Sequence, residues 1–143
     1  MRTVEVSATC SASPEKVWEV MADPFRWAEW LTIHKSWKSA VPAPLSQGDA
    51  ATAAARVMNM PVAIDWTFDR VETPNVIEMS GITRAGVSLK LAIGIADMGT
   101  ASKVDLSVSV DGGMIDSPMG GVFQSSLTGA LNTSLRNVEA LVA

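Results

Sequence analysis

Four aromatic rings recur at intervals of three, four and three positions in the first third of the chain: Trp27, Trp30, His34 and Trp37. An imidazole titrates near neutral pH and is the commonest general base, so His34 is a candidate catalytic residue. A helix would place all four rings on one stripe, but Thr32 and Ile33 are β-branched and favour a strand, in which His34 and Trp37 would diverge. Because a lone histidine beside tryptophans is more often structural, His34 is a weak candidate.

Other groups that catalyse reactions or hold metals are scarce. The chain has one histidine, one cysteine and no tyrosine. It contains no glycine-rich phosphate loop, no His-Glu-x-x-His and no Gly-x-Ser-x-Gly motif. A zinc site needs several converging nitrogen or sulfur ligands. We therefore expect no metal and no other cofactor, and the composition favours a noncatalytic role.

Composition and charge narrow the class of protein further. Hydrophobic residues make up 48% of the 143 residues and charged residues 18%, with a mean hydropathy of +0.22. The net charge is -4 and the eleven lysines and arginines are scattered, so we expect no nucleic-acid partner. No signal-like or membrane-length apolar run occurs, and Cys10 is alone. These features predict one cytoplasmic domain over residues 1–143 without integral membrane association.

Alternating apolar and polar residues predict most of the sheet. Val62, Ile64, Trp66 and Phe68 alternate with polar or small neighbours, the period of a strand with one buried face. Similar runs separated by short turns favour an antiparallel meander. The predicted strands cover residues 3–9, 49–58, 61–72, 76–83, 87–97 and 101–110.

Three proline-containing start signals predict the helices. Ser13-Pro14 and Asp23-Pro24 each combine a capping side chain with proline at the first helical position, and they predict two short helices, the second over about 25–31. Asp116-Ser117-Pro118 predicts a last helix that runs to the C-terminus. Its apolar residues recur mostly three or four positions apart, so one face should cover the sheet.

Two segments carry a resemblance to a known superfamily. The order of elements, together with Ser11-Ala12-Ser13-Pro14-Glu15-Lys16-Val17-Trp18, resembles the START-like proteins, also called SRPBCC or Bet v 1-like proteins. Residues 26–37, Arg-Trp-Ala-Glu-Trp-Leu-Thr-Ile-His-Lys-Ser-Trp, are similar to a segment of small actinobacterial polyketide cyclase/dehydrase or lipid-transport members. Some of these relatives are named toxins of type II toxin-antitoxin pairs.

The resemblance implies an α+β helix-grip fold. In this fold a curved antiparallel β-sheet, two short helices and one long C-terminal helix enclose an apolar cavity. We therefore predict that the protein binds or transports a small hydrophobic ligand, lipid- or polyketide-like, in that cavity. The expected ligand-binding residues are Trp37, Val57, Ile64, Trp66, Met79, Leu89, Leu91, Ile93, Leu106, Val108, Phe123 and Leu127.

Two other functions stay open, because a superfamily of this kind hosts several. The first is the toxin of a toxin-antitoxin pair, which would have an antitoxin-like protein partner. The second is a polyketide cyclase/dehydratase-like enzyme that uses His34. A homodimer formed through edge strands is also possible. Arg84, in the turn of residues 83–86, could meet a ligand carboxylate at a cavity mouth.

Overall fold

The computed structural model describes residues 2–57, 60–113 and 117–143, and it contains one curved antiparallel sheet. The strand order is β1-β7-β6-β5-β4-β3-β2, so neighbours follow the chain except where β1 pairs with β7. The predicted meander is confirmed, and β2 is an additional short strand. The strands are β1 (Arg2–Cys10), β2 (His34–Trp37), β3 (Ala50–Val57), β4 (Met60–Glu72), β5 (Val76–Ile82), β6 (Ser88–Asp97) and β7 (Ser102–Asp111).

The alternation in the sequence decides which face of the sheet is buried. In β4, Ile64, Trp66 and Phe68 are buried, whereas Asp65 and Thr67 between them are exposed. The same alternation continues through β6 and β7, so that one face of the sheet is apolar across its width. Met58, at the predicted end of β3, lies outside the described residues.

Two of the helix starts follow the predicted caps. The Ser13 hydroxyl accepts a hydrogen bond from the Lys16 backbone N–H at 3.3 Å, and α1 spans Pro14–Met21. The Asp23 carboxylate accepts from the Phe25 N–H at 3.0 Å, which begins a 3₁₀ turn over Pro24–Arg26. This turn continues into α2 (Trp27–Trp30), so the predicted second helix is made of two segments.

The last helix starts slightly later than its sequence signal. Its range is α3 (Gly120–Val142), and the residues from Ser117 onward form a turn in which the Ser117 hydroxyl accepts from the Met119 N–H at 3.1 Å. Asp116, the first residue of the signal, lies outside the described residues. None of the helices in the described ranges is long and apolar enough to cross a membrane.

One face of α3 packs against the apolar face of the sheet. Leu127, Leu131, Leu135 and Val138 are buried at spacings of three or four. Near the middle of α3, the Ser134 hydroxyl accepts a hydrogen bond from the Thr32 N–H at 3.0 Å and ties the helix to the end of α2. The predicted helix-grip arrangement is therefore confirmed.

The two edges of the sheet differ from its interior strands. At one edge, β2 has only four residues. At the other, β1 lies beside α3, and the Gln124 side chain donates a hydrogen bond to the Thr3 carbonyl at 3.3 Å. The Arg2 guanidinium in turn donates to the Gln124 side-chain carbonyl at 2.8 Å.

Candidate functional site

An apolar cavity of about 300 Å³ lies between the sheet and the beginning of α3. It is placed at the end of the sheet where β3 ends and β4 begins and where the turn of residues 83–86 joins β5 to β6, and its wall is almost entirely apolar. The lining residues are Val57, Met60, Val62, Ile64, Thr83, Ala85, Val87, Leu89, Val110, Gly112, Gly113 and Phe123. We call this region the cavity end.

The cavity is open because small side chains and turns surround it. Gly112 and Gly113 have φ angles of 93° and 60°, which favour glycine, so the chain turns there without side chains that would fill the space. A Cβ added to Gly113 would come within 2.7 Å of the Val87 side chain. Gly81, which does not line the cavity, is also closely packed, because an added Cβ would be 2.7 Å from the Trp66 ring. The Trp66 ring thus lies against Gly81 within the core.

One lining residue of the cavity is also exposed at the surface. Met60 belongs to the lining and is 43% exposed. Its side chain therefore borders both the cavity and the solvent.

The expected ligand-binding residues divide into two groups. Val57, Ile64, Leu89 and Phe123 line the cavity. The others do not, although all but Trp37 are buried: Trp37, Trp66, Met79, Leu91, Ile93, Leu106, Val108 and Leu127. Ligand contact by the members of either group stays a prediction. The cavity lining also includes Val62, Val87 and Val110, which were not among the expected residues. The sequence does indicate their direction, because they continue the same strand alternation toward the strand ends.

The opposite part of the interior is filled by aromatic rings, and we call it the aromatic end. The Trp27 ring lies at its centre and is fully buried. Its Nε1 donates a hydrogen bond to the Met21 carbonyl at 2.9 Å. Four neighbouring rings surround it, and the distances from their centroids to that of Trp27 are 6.3 Å for Trp30, 5.7 Å for His34, 5.2 Å for Trp37 and 6.1 Å for Phe68.

The expected divergence of His34 and Trp37 is wrong. Their ring centroids are 4.8 Å apart, although residues three apart on a regular strand face opposite sides. The register explains the difference, since His34 pairs with Ala55 while Ser36 pairs with Ala54, which is a β-bulge with one extra residue in β2. Trp37 is held in this position because its Nε1 donates to the Pro24 carbonyl at 2.7 Å.

The His34 ring is packed against the other aromatic rings and lies away from the cavity. It is 8% exposed and does not line the apolar cavity. Burial lowers the pKa of His34 to about 4, so its imidazole is neutral at pH 7. A neutral imidazole can accept a proton, but the reacting group would have to enter the aromatic end to reach it.

A second space, which we call the cleft, adjoins the cavity. It has a volume of about 360 Å³ and is open to solvent on the side between α3 and the end of β3. Arg56 and several hydroxyl groups give it polar character that the cavity lacks. Its lining residues are Thr32, Ile33, Arg56, Val57, Ser126, Leu127, Gly129, Ala130 and Thr133.

A wider depression of about 610 Å³ lies on the outer face of the sheet. Its lining includes the charged side chains of Glu5, Arg70, Glu78 and Asp105. Arg70 lies 3.5 Å from Glu78 in an exposed ion pair. A charged surface of this kind does not suit an apolar ligand, so the smaller cavity is the better candidate site.

Comparison with known proteins agrees with this geometry. The sequence profile of the family described as polyketide cyclase / dehydrase and lipid transport matches residues 1–143. The chain belongs to this family. The predicted resemblance to START-like proteins is thereby confirmed at the level of the family.

Relatives in the family carry different names. "Toxin Rv0910" of Mycobacterium tuberculosis is 32% identical over 130 residues, which cover 91% of this chain and 90% of the relative. Among solved structures, protein MLL2253 of Mesorhizobium loti has a TM-score of 0.76 at 16% identity and covers 99% of this chain and 96% of its own. Ara h 8.0201 has a TM-score of 0.72 at 12% identity, with 99% and 97% covered. At these identities the two structures show a shared fold.

Proposed function

We propose that this protein binds a small hydrophobic ligand in the cavity between the sheet and α3, and carries or senses it without chemical change. The observation that supports this proposal is the cavity of about 300 Å³ with an almost entirely apolar wall. Ligand pockets are mostly apolar clefts of about 300 to 1,000 Å³. The volume here is at the lower end of that range, which suits a small ligand.

The composition of the cavity wall favours binding over catalysis. Among the described residues that line it, Thr83 is the one polar side chain, and none is titratable. Transfer of apolar ligand surface into such a space is worth roughly 25 cal/mol per Å². Proton transfer would need an acid or base within hydrogen-bonding reach of the substrate, and His34 lies outside this wall. Binding is therefore the function we propose, in preference to a cyclase or dehydratase reaction.

A pair of variants tests whether the cavity is the binding site. Val62→Phe adds a ring to a half-buried valine of the cavity wall, whereas Val76→Phe adds the same ring to a half-buried valine beside the outer depression. We expect purified wild-type protein to bind Nile red, a neutral apolar dye, with enhanced fluorescence. Val62→Phe should weaken this binding at least about tenfold, because the added ring fills the space that the dye occupies. Val76→Phe should leave it unchanged.

Native mass spectrometry of the protein as purified supplies an independent measurement. A co-purifying small molecule that is present in wild-type protein and absent from Val62→Phe would identify the natural ligand class. If wild-type protein binds no dye and carries no molecule, or if both variants bind dye equally, the cavity is not a ligand site and the proposal is wrong.

A second candidate function rests on the identity to Toxin Rv0910. We propose as the alternative that the protein inhibits growth of its host and is neutralised by a protein partner. Induced expression in the host would then slow growth, and co-expression of an adjacent gene product would restore it. Unimpaired growth at high expression would contradict this function. If growth is slowed by wild-type protein and equally by Val62→Phe, the inhibition does not depend on the cavity.

A further inference from the structure

We infer that the ligand is an anionic amphiphile, whose alkyl chain occupies the cavity and whose carboxylate lies in the cleft beside Arg56. This inference rests on the proposed function and adds the chemical class of the ligand. The supporting observation is that two spaces of opposite character, one apolar and one cationic, adjoin each other.

The cavity and the cleft are neighbours along α3 and β3. Val57 lines both spaces. Phe123 lines the cavity and Leu127 lines the cleft, and these two side chains are one helical turn apart on α3. The two spaces therefore meet at Val57, and a molecule that occupies both would lie between α3 and the end of β3.

The cleft has the charge that the cavity lacks. Arg56 is exposed, lines the cleft, and makes no ion pair with any residue in the described part of the chain. A second guanidinium is close, because Arg136 donates a hydrogen bond at 3.0 Å to the hydroxyl of the lining residue Thr133. No carboxylate is among the described residues that line the cleft. A positive site of this kind in a chain of net charge -4 favours an anion.

The two spaces constrain the ligand together. An apolar wall penalises a charged group, so a carboxylate cannot accompany its chain into the cavity. The guanidinium of Arg56 offers paired N–H donors that match the two oxygens of a carboxylate. At roughly 30 Å³ for a unit the size of a water molecule, 300 Å³ holds about ten such units. A straight chain of about eight to ten carbons is therefore the length that fits.

Decanoate and 1-decanol test this class, since they share a chain of ten carbons and differ in the charge of the head group. Isothermal titration calorimetry at pH 7.5 and low ionic strength would compare them on the full chain. We expect decanoate to bind about fivefold more tightly than 1-decanol, the size of a favourable exposed ion pair. Each methylene removed from decanoate should weaken binding about fourfold. Addition of 0.5 M NaCl should reduce the preference for decanoate, because the ion pair is screened.

Arginine variants locate the head group. Arg56→Gln should bring decanoate to the affinity of 1-decanol without changing the affinity of 1-decanol itself. Lys90→Gln, which removes an exposed positive charge from the outer face of the sheet, is the matched control and should retain the preference. Arg84 is the residue between the lining residues Thr83 and Ala85 in the sequence. Arg84→Gln removes its guanidinium and should also retain the preference for decanoate.

The outcomes separate this inference from the proposed function. If 1-decanol binds as tightly as decanoate, the anionic head group is wrong although the cavity binds ligand. If the preference is lost in Arg84→Gln and kept in Arg56→Gln, the carboxylate does not lie in the cleft. If neither compound binds, the proposed function fails as well. If circular dichroism shows that Arg56→Gln is unfolded, the preference of the wild-type protein for decanoate, and the loss of that preference in salt, still test whether the head group is an anion.

Discussion

The aromatic end and the cavity end are built from the same sheet, yet one is filled and the other is hollow. At the aromatic end, Trp27 and Trp30 are fully buried and His34 packs beside them. At the cavity end, valines, alanine and glycines leave about 300 Å³ open. The strand alternation is the same in both regions, so it determines where side chains point but not how much space they fill. Side-chain volume decides which half of a concave face can hold a ligand.

Removing an aromatic side chain should lower the stability much more at the aromatic end than at the cavity end. Trp27→Ala removes a fully buried ring, its contacts with four neighbouring rings and its hydrogen bond to the Met21 carbonyl. We expect it to lower the free energy of unfolding by about 4 kcal/mol. Phe123→Ala removes a half-buried ring that already adjoins open space, and it should cost less than about 2 kcal/mol. Urea unfolding measures both, and equal losses would contradict the contrast.

His34, at the aromatic end, should contribute to the pH dependence of stability. Burial holds the pKa of folded His34 at about 4, below its ordinary value of 6.5, so between these values the unfolded chain binds the proton and the folded chain does not. The folded state should therefore lose roughly 3 kcal/mol, relative to its stability at neutral pH, as the pH falls from about 6.5 to about 4.

His34→Gln isolates this contribution from those of the other ionisable groups. Unfolding of wild-type protein and of His34→Gln would be measured at pH 7 and at pH 4. The wild-type protein should lose more stability between the two pH values. An identical loss in both proteins would mean that His34 is accessible to protons in the folded state.

A pair of glycine substitutions tests the border between the two ends. A Cβ at Gly81 would lie 2.6 Å from the Ile64 side chain and 2.7 Å from the Trp66 ring, both too close. Gly81→Ala should therefore cost about 2 kcal/mol as the Trp66 ring is displaced. Gly94→Ala is the control, since its nearest neighbour, the Asp105 Cβ, would be 3.8 Å away. Its unfolding free energy should be unchanged or slightly raised. Equal stability of the two variants would show that Trp66 is free to move.

Much of the fold was predictable because its elements carry local signals. Strict alternation identified β4 and β7 within one residue of their observed ends. The caps at Ser13 and Asp23 marked helical starts, since each accepts the hydrogen bond that the signal implies. The four residues of β2 gave no comparable signal, because alternation cannot be recognised over so short a run.

The candidate site was predictable only in part, because it depends on contacts between distant segments. Ile64 and Leu89 were found from strand direction alone, and they line the cavity. Trp37 was expected among the ligand-binding residues, yet the bulge and the hydrogen bond to the Pro24 carbonyl hold it at the aromatic end. Thr83 and Ala85 line the cavity from a turn. Their role depends on which strand ends meet below α3, and that is a property of the assembled sheet.

The two sheet edges have a consequence for the behaviour of the protein at high concentration. A long unpaired strand edge is a template on which further chains can add and grow into aggregates. Here β2 offers a template of four residues, and the carbonyl of Thr3 in β1 is already occupied by the Gln124 side chain. The protein should therefore resist edge-to-edge polymerisation.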